Sequence, residues 1–200
     1  MQFSNYLPGE QNIGASVCDS SFAGESSSTG GGSSWSGDPE WVRRSTLRSR
    51  TATSREKNPW LREGSILLIE DNPADAGLVR EALEEHGLEC EFLVIADGDK
   101  AIRFVEALDA GTADAPDVVI VDLNLPRRPG REVLEAVRHS VKCSRATVVI
   151  LSSSYAAEDR ADAARLGVDD YILKPLRLDE FLELGARFKT LFEAARRRRG

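Results

Sequence analysis

Glu70, Asp71, Asp122, Ser152 and Lys174 stand at the ends of short apolar runs. Glu70 and Asp71 follow Ile66-Leu67-Leu68-Ile69. Asp122 follows Val118-Val119-Ile120-Val121, Ser152 follows Val148-Val149-Ile150-Leu151, and Lys174 follows Tyr171-Ile172-Leu173. Three carboxylates gathered in one cleft repel one another unless a cation lies among them. Oxygen ligands suit a hard divalent ion, Mg2+ by preference. Mg2+ keeps waters and shares its coordination sphere with phosphate, so such a cleft suits phosphoryl chemistry. The Lys174 ammonium and the Ser152 hydroxyl would hold the remaining phosphoryl oxygens. An aspartate can itself be the nucleophile and become an acyl phosphate.

Taken one at a time these residues say little. A carboxylate after a strand is more often a helix cap, and a lysine there a surface charge. A serine there is more often a turn residue. The signal is that all five end successive strands on one edge, which chance supplies rarely.

The elements that would position them follow from hydrophobic pattern. Short apolar runs with turn signals at both ends read as strands of a parallel sheet buried on both faces. Five fall at residues 66–69, 92–95, 118–121, 147–151 and 171–173. Helical spacing of apolar residues separates them. The first helix is capped by Asn72-Pro73 and stopped by Gly87. The second runs from about Asp97 to Leu108, and the third carries Val133, Leu134 and Val137. The fourth is alanine-rich and closed by Gly167, and the last begins near Leu178. Strand and helix alternate five times. This predicts an α/β, flavodoxin-like, doubly wound five-stranded parallel sheet of order 2-1-3-4-5, flanked by five helices. In such sheets ligands bind at the carboxyl ends of the strands.

Four segments now carry a family resemblance: Ile69-Glu70-Asp71-Asn72, Val121-Asp122-Leu123-Asn124-Leu125-Pro126 with Gly130, Leu151-Ser152-Ser153, and Tyr171-Ile172-Leu173-Lys174-Pro175. They resemble the receiver domain of two-component response regulators over residues 64–192. Ser152, Tyr171 and Lys174 lie 30, 49 and 52 positions after Asp122, intervals that match the receiver pattern. The wording around Glu70-Asp71-Asn72-Pro73-Ala74-Asp75 is most similar to single-domain regulators that serve phytochrome-type histidine kinases.

The resemblance implies roles. Asp122 would accept a phosphoryl group from a phosphohistidine of a sensor histidine kinase. Mg2+ would be held by Asp71, Asp122 and the backbone carbonyl of Asn124, with Glu70 reaching it directly or through water. Lys174 would pair with the carboxylate and then the phosphoryl group. Ser152 would bond the new phosphoryl oxygen, and Tyr171 would change rotamer in response. The Lys174-Pro175 bond would be cis, as in the family. Ser152 stands where Thr is commoner, and Pro129 where many members carry an acidic residue; neither threatens the chemistry. No output domain is read after Phe192, so output would be a protein contact or a relay.

Charge and composition bound the alternatives. Residues 1–62 carry 7 basic and 6 acidic side chains, and residues 63–195 carry 15 and 27. A domain with a balance of −12 is a poor binder of nucleic acid. Residues 20–37 are Gly or Ser at 13 of 18 positions, and residues 1–62 read as a disordered extension, turning basic after Arg43. Residues 63–195 form the receiver-like domain, and 196–200 a basic tail that reads as a solubilising end or weak contact. Cys18, Cys90 and Cys143 are widely spaced and read as free thiols of a reducing, cytoplasmic compartment. No apolar run is long enough to cross a bilayer.

Leu178, Phe181, Leu182, Gly185, Phe188 and Phe192 form an unusually broad stripe on the last helix, extended by Leu184, Leu191 and Ala195. Two readings stand: a wide core contact, or a homodimer surface made with the fifth strand. For the function as a whole, a phosphorylation-controlled switch competes with an aspartyl-phosphate enzyme and with a silent scaffold. Asn124, two positions after Asp122, replaces the second Asp usual in haloacid-dehalogenase-type enzymes, which counts against turnover. The complete set of five residues counts against a scaffold.

Overall fold

The computed structural model describes residues 40–47, 64–111 and 114–199. Its centre is a single sheet. The strands are β1 (Arg43–Leu47), β2 (Ser65–Ile69), β3 (Cys90–Ile95), β4 (Val118–Val121), β5 (Thr147–Ser152) and β6 (Asp170–Leu173). Five helices connect and cover them: α1 (Pro73–Glu85), α2 (Gly98–Ala110), α3 (Gly130–His139), α4 (Ala157–Arg165) and α5 (Leu178–Arg199). The strand order is β1-β3-β2-β4-β5-β6. Without β1 this is the expected 2-1-3-4-5 order, and those five strands are all parallel.

Strand side chains point alternately to opposite faces, and here both faces are covered. Leu67, Ile69, Val119, Val121, Val148 and Ile150 face the core under α2 and α3. Ile66, Leu68, Val118, Ile120, Val149 and Leu151 face the core under α1 and α5. Helices α1 and α2 begin at the caps their sequence signals. Asn72 Oδ1 accepts the Ala74 N–H at 3.0 Å, with Pro73 in the first turn. Asp97 Oδ1 accepts the Lys100 N–H at 3.1 Å. Gly87 (φ 66°) and Gly167 (φ 67°) take the left-handed conformation just past α1 and α4, where a Cβ is disfavoured.

The structure corrects the sequence reading at three places. First, residues 43–47, assigned to a disordered extension, form β1, antiparallel to β3 along the sheet edge. Apart from residues 40–42, the rest of the extension lies outside the described residues. Leu47 is 1% exposed and packs into the α1/α5 core, while Val42 and Trp41 pack on the other face. Trp41 meets Phe104 edge-on, with ring centroids 6.5 Å apart. Arg44 bonds Glu91 at 2.7 Å, and Arg80 of α1 donates to Ser45 Oγ at 2.7 Å. One buried leucine contributes roughly 1.5–3 kcal/mol, enough to order a strand that already has an open edge to pair with. The exposed Arg43, Arg44 and Thr46 keep the new edge polar.

Second, residues 196–199 are not a loose tail but the last turn of α5. Arg199 donates to the carbonyls of Ala115 and Pro116, both at 2.8 Å, and pairs with Asp117 at 3.3 Å. Arg198 bonds Thr147 Oγ1. The basic run thus satisfies carbonyls just before β4 and a hydroxyl at the amino end of β5.

Third, the described residues contain no cis peptide bond, so Lys174-Pro175 is trans. Trans is the default for an X-Pro bond, by about 0.5–1 kcal/mol.

The α5 stripe is mainly core. Phe181, Gly185, Phe188, Phe192 and Ala195 are buried, and Leu184 and Leu191 pack against them. Leu178 is exposed. Among the described residues no helix is long and apolar enough to cross a membrane.

Close approach of α1 and α5 depends on Gly185, where a Cβ would lie 2.1 Å from the Ala82 carbonyl oxygen. Gly185→Ala is therefore expected to destabilise the fold by about 1–3 kcal/mol. Gly77 has open space around it in α1, so Gly77→Ala is expected to stabilise by about 0.4–1 kcal/mol. Urea unfolding of the two variants checks both signs.

Candidate functional site

β2 and β4 are neighbours in the sheet, yet the chain leaves β2 toward β3 and leaves β4 toward β5. This reversal opens a crevice at the carboxyl ends of the strands. Glu70 and Asp71 follow β2 there, and Asp122 follows β4. Carboxylate oxygens of Glu70, Asp71 and Asp122 all lie within 4.8 Å of one another. Glu70 and Asp122 are buried and Asp71 is exposed. Lys174, just after β6, reaches across and donates to Glu70 Oε2 and Asp122 Oδ2, each at 2.7 Å. The sequence-predicted acids and lysine therefore meet in one pocket, with Lys174-Pro175 in trans.

The pocket's charges are compressed. Burial pushes the Glu70 carboxyl above its usual range, against the opposing pull of the Lys174 hydrogen bond and charge and of the Asn72 N–H; the Asp122 charge adds to the rise. Glu70 Oε1 accepts that N–H at 3.1 Å. For Lys174, burial works against the ammonium, but hydrogen bonds to Asp122, Asp75 and Glu70 outweigh it and raise its pKa. Lys174 thus stays charged at any physiological pH.

A further acid completes this set. Asp75 Oδ2 accepts from Lys174 Nζ at 2.7 Å. Sequence reasoning assigned Asp75 no role. The signal was present: Asp75 is the third residue of α1, where side chains lean back toward the helix amino end and the strand edge.

The loop after Asp122 is held from several sides. The Asn124 N–H donates to Asp122 Oδ1 at 3.0 Å and the Gly130 N–H to the Leu123 carbonyl at 3.0 Å. A Cβ on Gly130 would lie 2.1 Å from the Asp122 carbonyl oxygen. Arg127 takes φ 67° and pairs with the buried Asp97 at 2.8 Å. Arg128 bonds Asp99 at 2.9 Å and Glu132 at 2.6 Å. These arginines tie the loop to the start of α2, a function the sequence did not announce.

Ser152 is fully buried at the end of β5, and its Oγ accepts the Ser154 N–H at 3.1 Å. The Lys174 N–H donates to the Ser152 carbonyl at 2.9 Å, so the two residues are fixed to each other through the sheet. Tyr171 is half-buried. Its hydroxyl donates to the Ser154 carbonyl at 3.1 Å, and the Arg160 guanidinium lies 5.1 Å from its ring centre. Ser152 and Tyr171 therefore share contacts with one loop, that of Ser154. The two histidines lie at helix ends: His86 Nε2 contacts the Leu182 carbonyl and His139 Nδ1 the Glu135 carbonyl.

Oxygen donors fit a hard cation. A Mg2+–O distance of about 2.0–2.1 Å places two ligand oxygens about 3–4 Å apart, so the trio needs little rearrangement.

A doubly wound sheet with a lysine-bridged acidic pocket at its switch point defines a receiver-type fold. A family model described as the response regulator receiver domain matches residues 66–184, and the chain belongs to that family. Response regulator Rcp1 of Synechocystis sp. is 32% identical over 132 residues, covering 66% of this chain and 88% of that protein. Among solved structures, the phosphorylated cyanobacterial phytochrome response regulator RcpA matches with a TM-score of 0.59 at 30% identity, over 65% of this chain and 94% of that one. The Mn2+-bound form of Rcp1 matches with a TM-score of 0.57 at 29% identity, over 64% and 92%. The chain is thus a phosphorylation-dependent response regulator receiver, similar to phytochrome-associated regulators.

The Glu70 shift has a stability consequence. From pH 4.5 up to its elevated pKa, Glu70 binds more protons folded than unfolded. Its contribution to stability is therefore present below that window and is lost as pH rises through it. In metal-free buffer, the stability of wild type relative to Glu70→Gln should fall as pH rises from 4.5. Urea titrations across pH check the slope.

Proposed function

We propose that Asp122 is the phosphoryl acceptor, that Mg2+ is the ion bound beside it, and that a sensor histidine kinase of phytochrome type is the donor. The observation that carries this reading is the convergence of Lys174 with Glu70 and Asp122 at 2.7 Å, beside Asp71. A carboxylate oxygen of Asp122 would form the O–P bond as the N–P bond of a phosphohistidine breaks. The leaving imidazole takes the proton it needs from solvent. Asp71, Asp122 and the Asn124 carbonyl would hold the ion, with Glu70 direct or through water; bound Mg2+ supplies charge neutralisation for the phosphoryl oxygens.

Lys174 would exchange carboxylate oxygens for phosphoryl oxygens. Ser152 would give up its bond to the Ser154 N–H and turn its hydroxyl to the new group. The Ser154 loop would shift with it, and Tyr171, bonded to that loop, would reorient. The reading is a switch rather than a turnover enzyme, because Asn124 offers no second acid beside the nucleophile. Cys90 and Cys143, buried and outside any disulfide, suit a reducing, cytoplasmic setting.

Incubation with Mg2+ and acetyl phosphate should leave one acid-stable, base-labile mark per protein on Asp122, read by mass spectrometry. Asp122→Asn and excess EDTA should each abolish it. A mark that persists in Asp122→Asn would refute the assignment, and many phosphates released per protein would favour the enzyme.

We further propose self-association through the face of α5 and β6, now reduced to its exposed apolar residues. Leu176 and Leu178 are 97% and 57% exposed beside it. Sedimentation should show a dimer on addition of beryllofluoride, and Leu176→Asp should return it to monomer. A wild-type protein that stays monomeric at high concentration with and without the mimic would end this idea.

A further inference from the structure

Lys174 Nζ has three carboxylate partners at the same distance, 2.7 Å: Glu70, Asp75 and Asp122. They are not equivalent. Glu70 and Asp122 also belong to the trio of converging oxygens that fits a cation, and Asp75 does not. Glu70 also accepts a backbone N–H from Asn72, and Asp122 one from Asn124. Once a cation shares Glu70 and Asp122, Asp75 is the acid that stays with Lys174 alone. Asp75 is also the most exposed of the three, its side chain 23% accessible against 1% and 7% for the other two.

An arriving phosphoryl group is an anion that must recruit the same ammonium. We propose that Asp75 is a positioning residue of the acceptor site, holding Lys174 in place before transfer and competing with the phosphoryl oxygens for it. This rests on the reading of Asp122 as the acceptor. The competition has two parts. Lys174 must divide its donors between Asp75 and the incoming oxygens, and the Asp75 charge repels them. Both weaken anion binding without touching the nucleophile. Removing the charge therefore tightens the site for phosphoryl groups. Asp75 thus sets how high the donor concentration must be before the site fills.

The alternative is purely structural. Asp75 is an acid in the first turn of α1, where a carboxylate favours the helix dipole and its loss lowers stability. That role predicts a lower melting temperature and no change in anion affinity.

The experiment measures beryllofluoride binding to the full chain by calorimetry at saturating Mg2+. It also measures the acetyl phosphate dependence of Asp122 labelling. Asp75→Asn is expected to bind beryllofluoride about fivefold more tightly, the order expected from one close like charge at a part-exposed site. Its half-saturating acetyl phosphate concentration should fall by a similar factor. Asp75→Ser removes the same charge with a smaller side chain and should move both values in the same direction. Asp75→Glu should restore the wild-type affinity. Neutral variants that bind beryllofluoride no more tightly than wild type would overturn the proposal. If wild type is labelled on Asp122 in that case, the acceptor reading stands; if wild type takes no label, both fall.

Discussion

A single buried ammonium among several carboxylates is the constraint on which the pocket depends. Acids drawn out of water into one crevice cannot all stay ionised without a counter-charge, and Lys174 is the one the chain supplies. Its position follows from the sheet. β6 lies two strands away from β4 and three from β2, and the long side chain crosses that gap. Buried acids so placed remain short of positive charge, which makes the pocket receptive to a divalent cation. The same lysine that offsets these buried acids is the group a phosphoryl anion would seek. Stability and chemistry therefore draw on one contact.

Most of the fold is written in hydrophobic periodicity. Runs such as Val118-Val119-Ile120-Val121 have no polar face, so they can only be strands covered on both sides, and the intervening 3.6-residue patterns supply the covers. The acids, the serine and the lysine were legible because each ends such a run. What escaped depends on distance in space. β1 is five residues in an Arg- and Ser-rich stretch, and it becomes a strand only because β3 offers an unpaired edge and Leu47 a place in the core. The arginines after Ala195 look like a solvated tail until the carbonyls of Ala115 and Pro116 are seen beside them. Asp75 looks like an ordinary helix-start acid until Lys174 arrives from 99 residues away.

The loop following Asp122 shows how a buried carboxylate is kept still. Asp122 accepts its own loop's Asn124 N–H, Gly130 allows the backbone to fold back to van der Waals limits, and Arg127 and Arg128 tie the loop to α2. The left-handed Arg127 is a conformation that non-glycine residues seldom adopt. Its buried partner Asp97, which also caps α2, accounts for its persistence here. The Ser154 loop is tied through Ser152 and Tyr171 and, by the Ser154 hydroxyl, to Asp159 at the start of α4.

The length of α5 has a geometric outcome of its own. It starts beside the acidic pocket at Leu178 and ends with Arg198 and Arg199 gripping the amino ends of β4 and β5. Its 22 residues make a rod of about 33 Å, running from the carboxyl end of β6 to the amino ends of β4 and β5. Any polypeptide continuing past Arg199 therefore departs from the edge of the sheet opposite the acids.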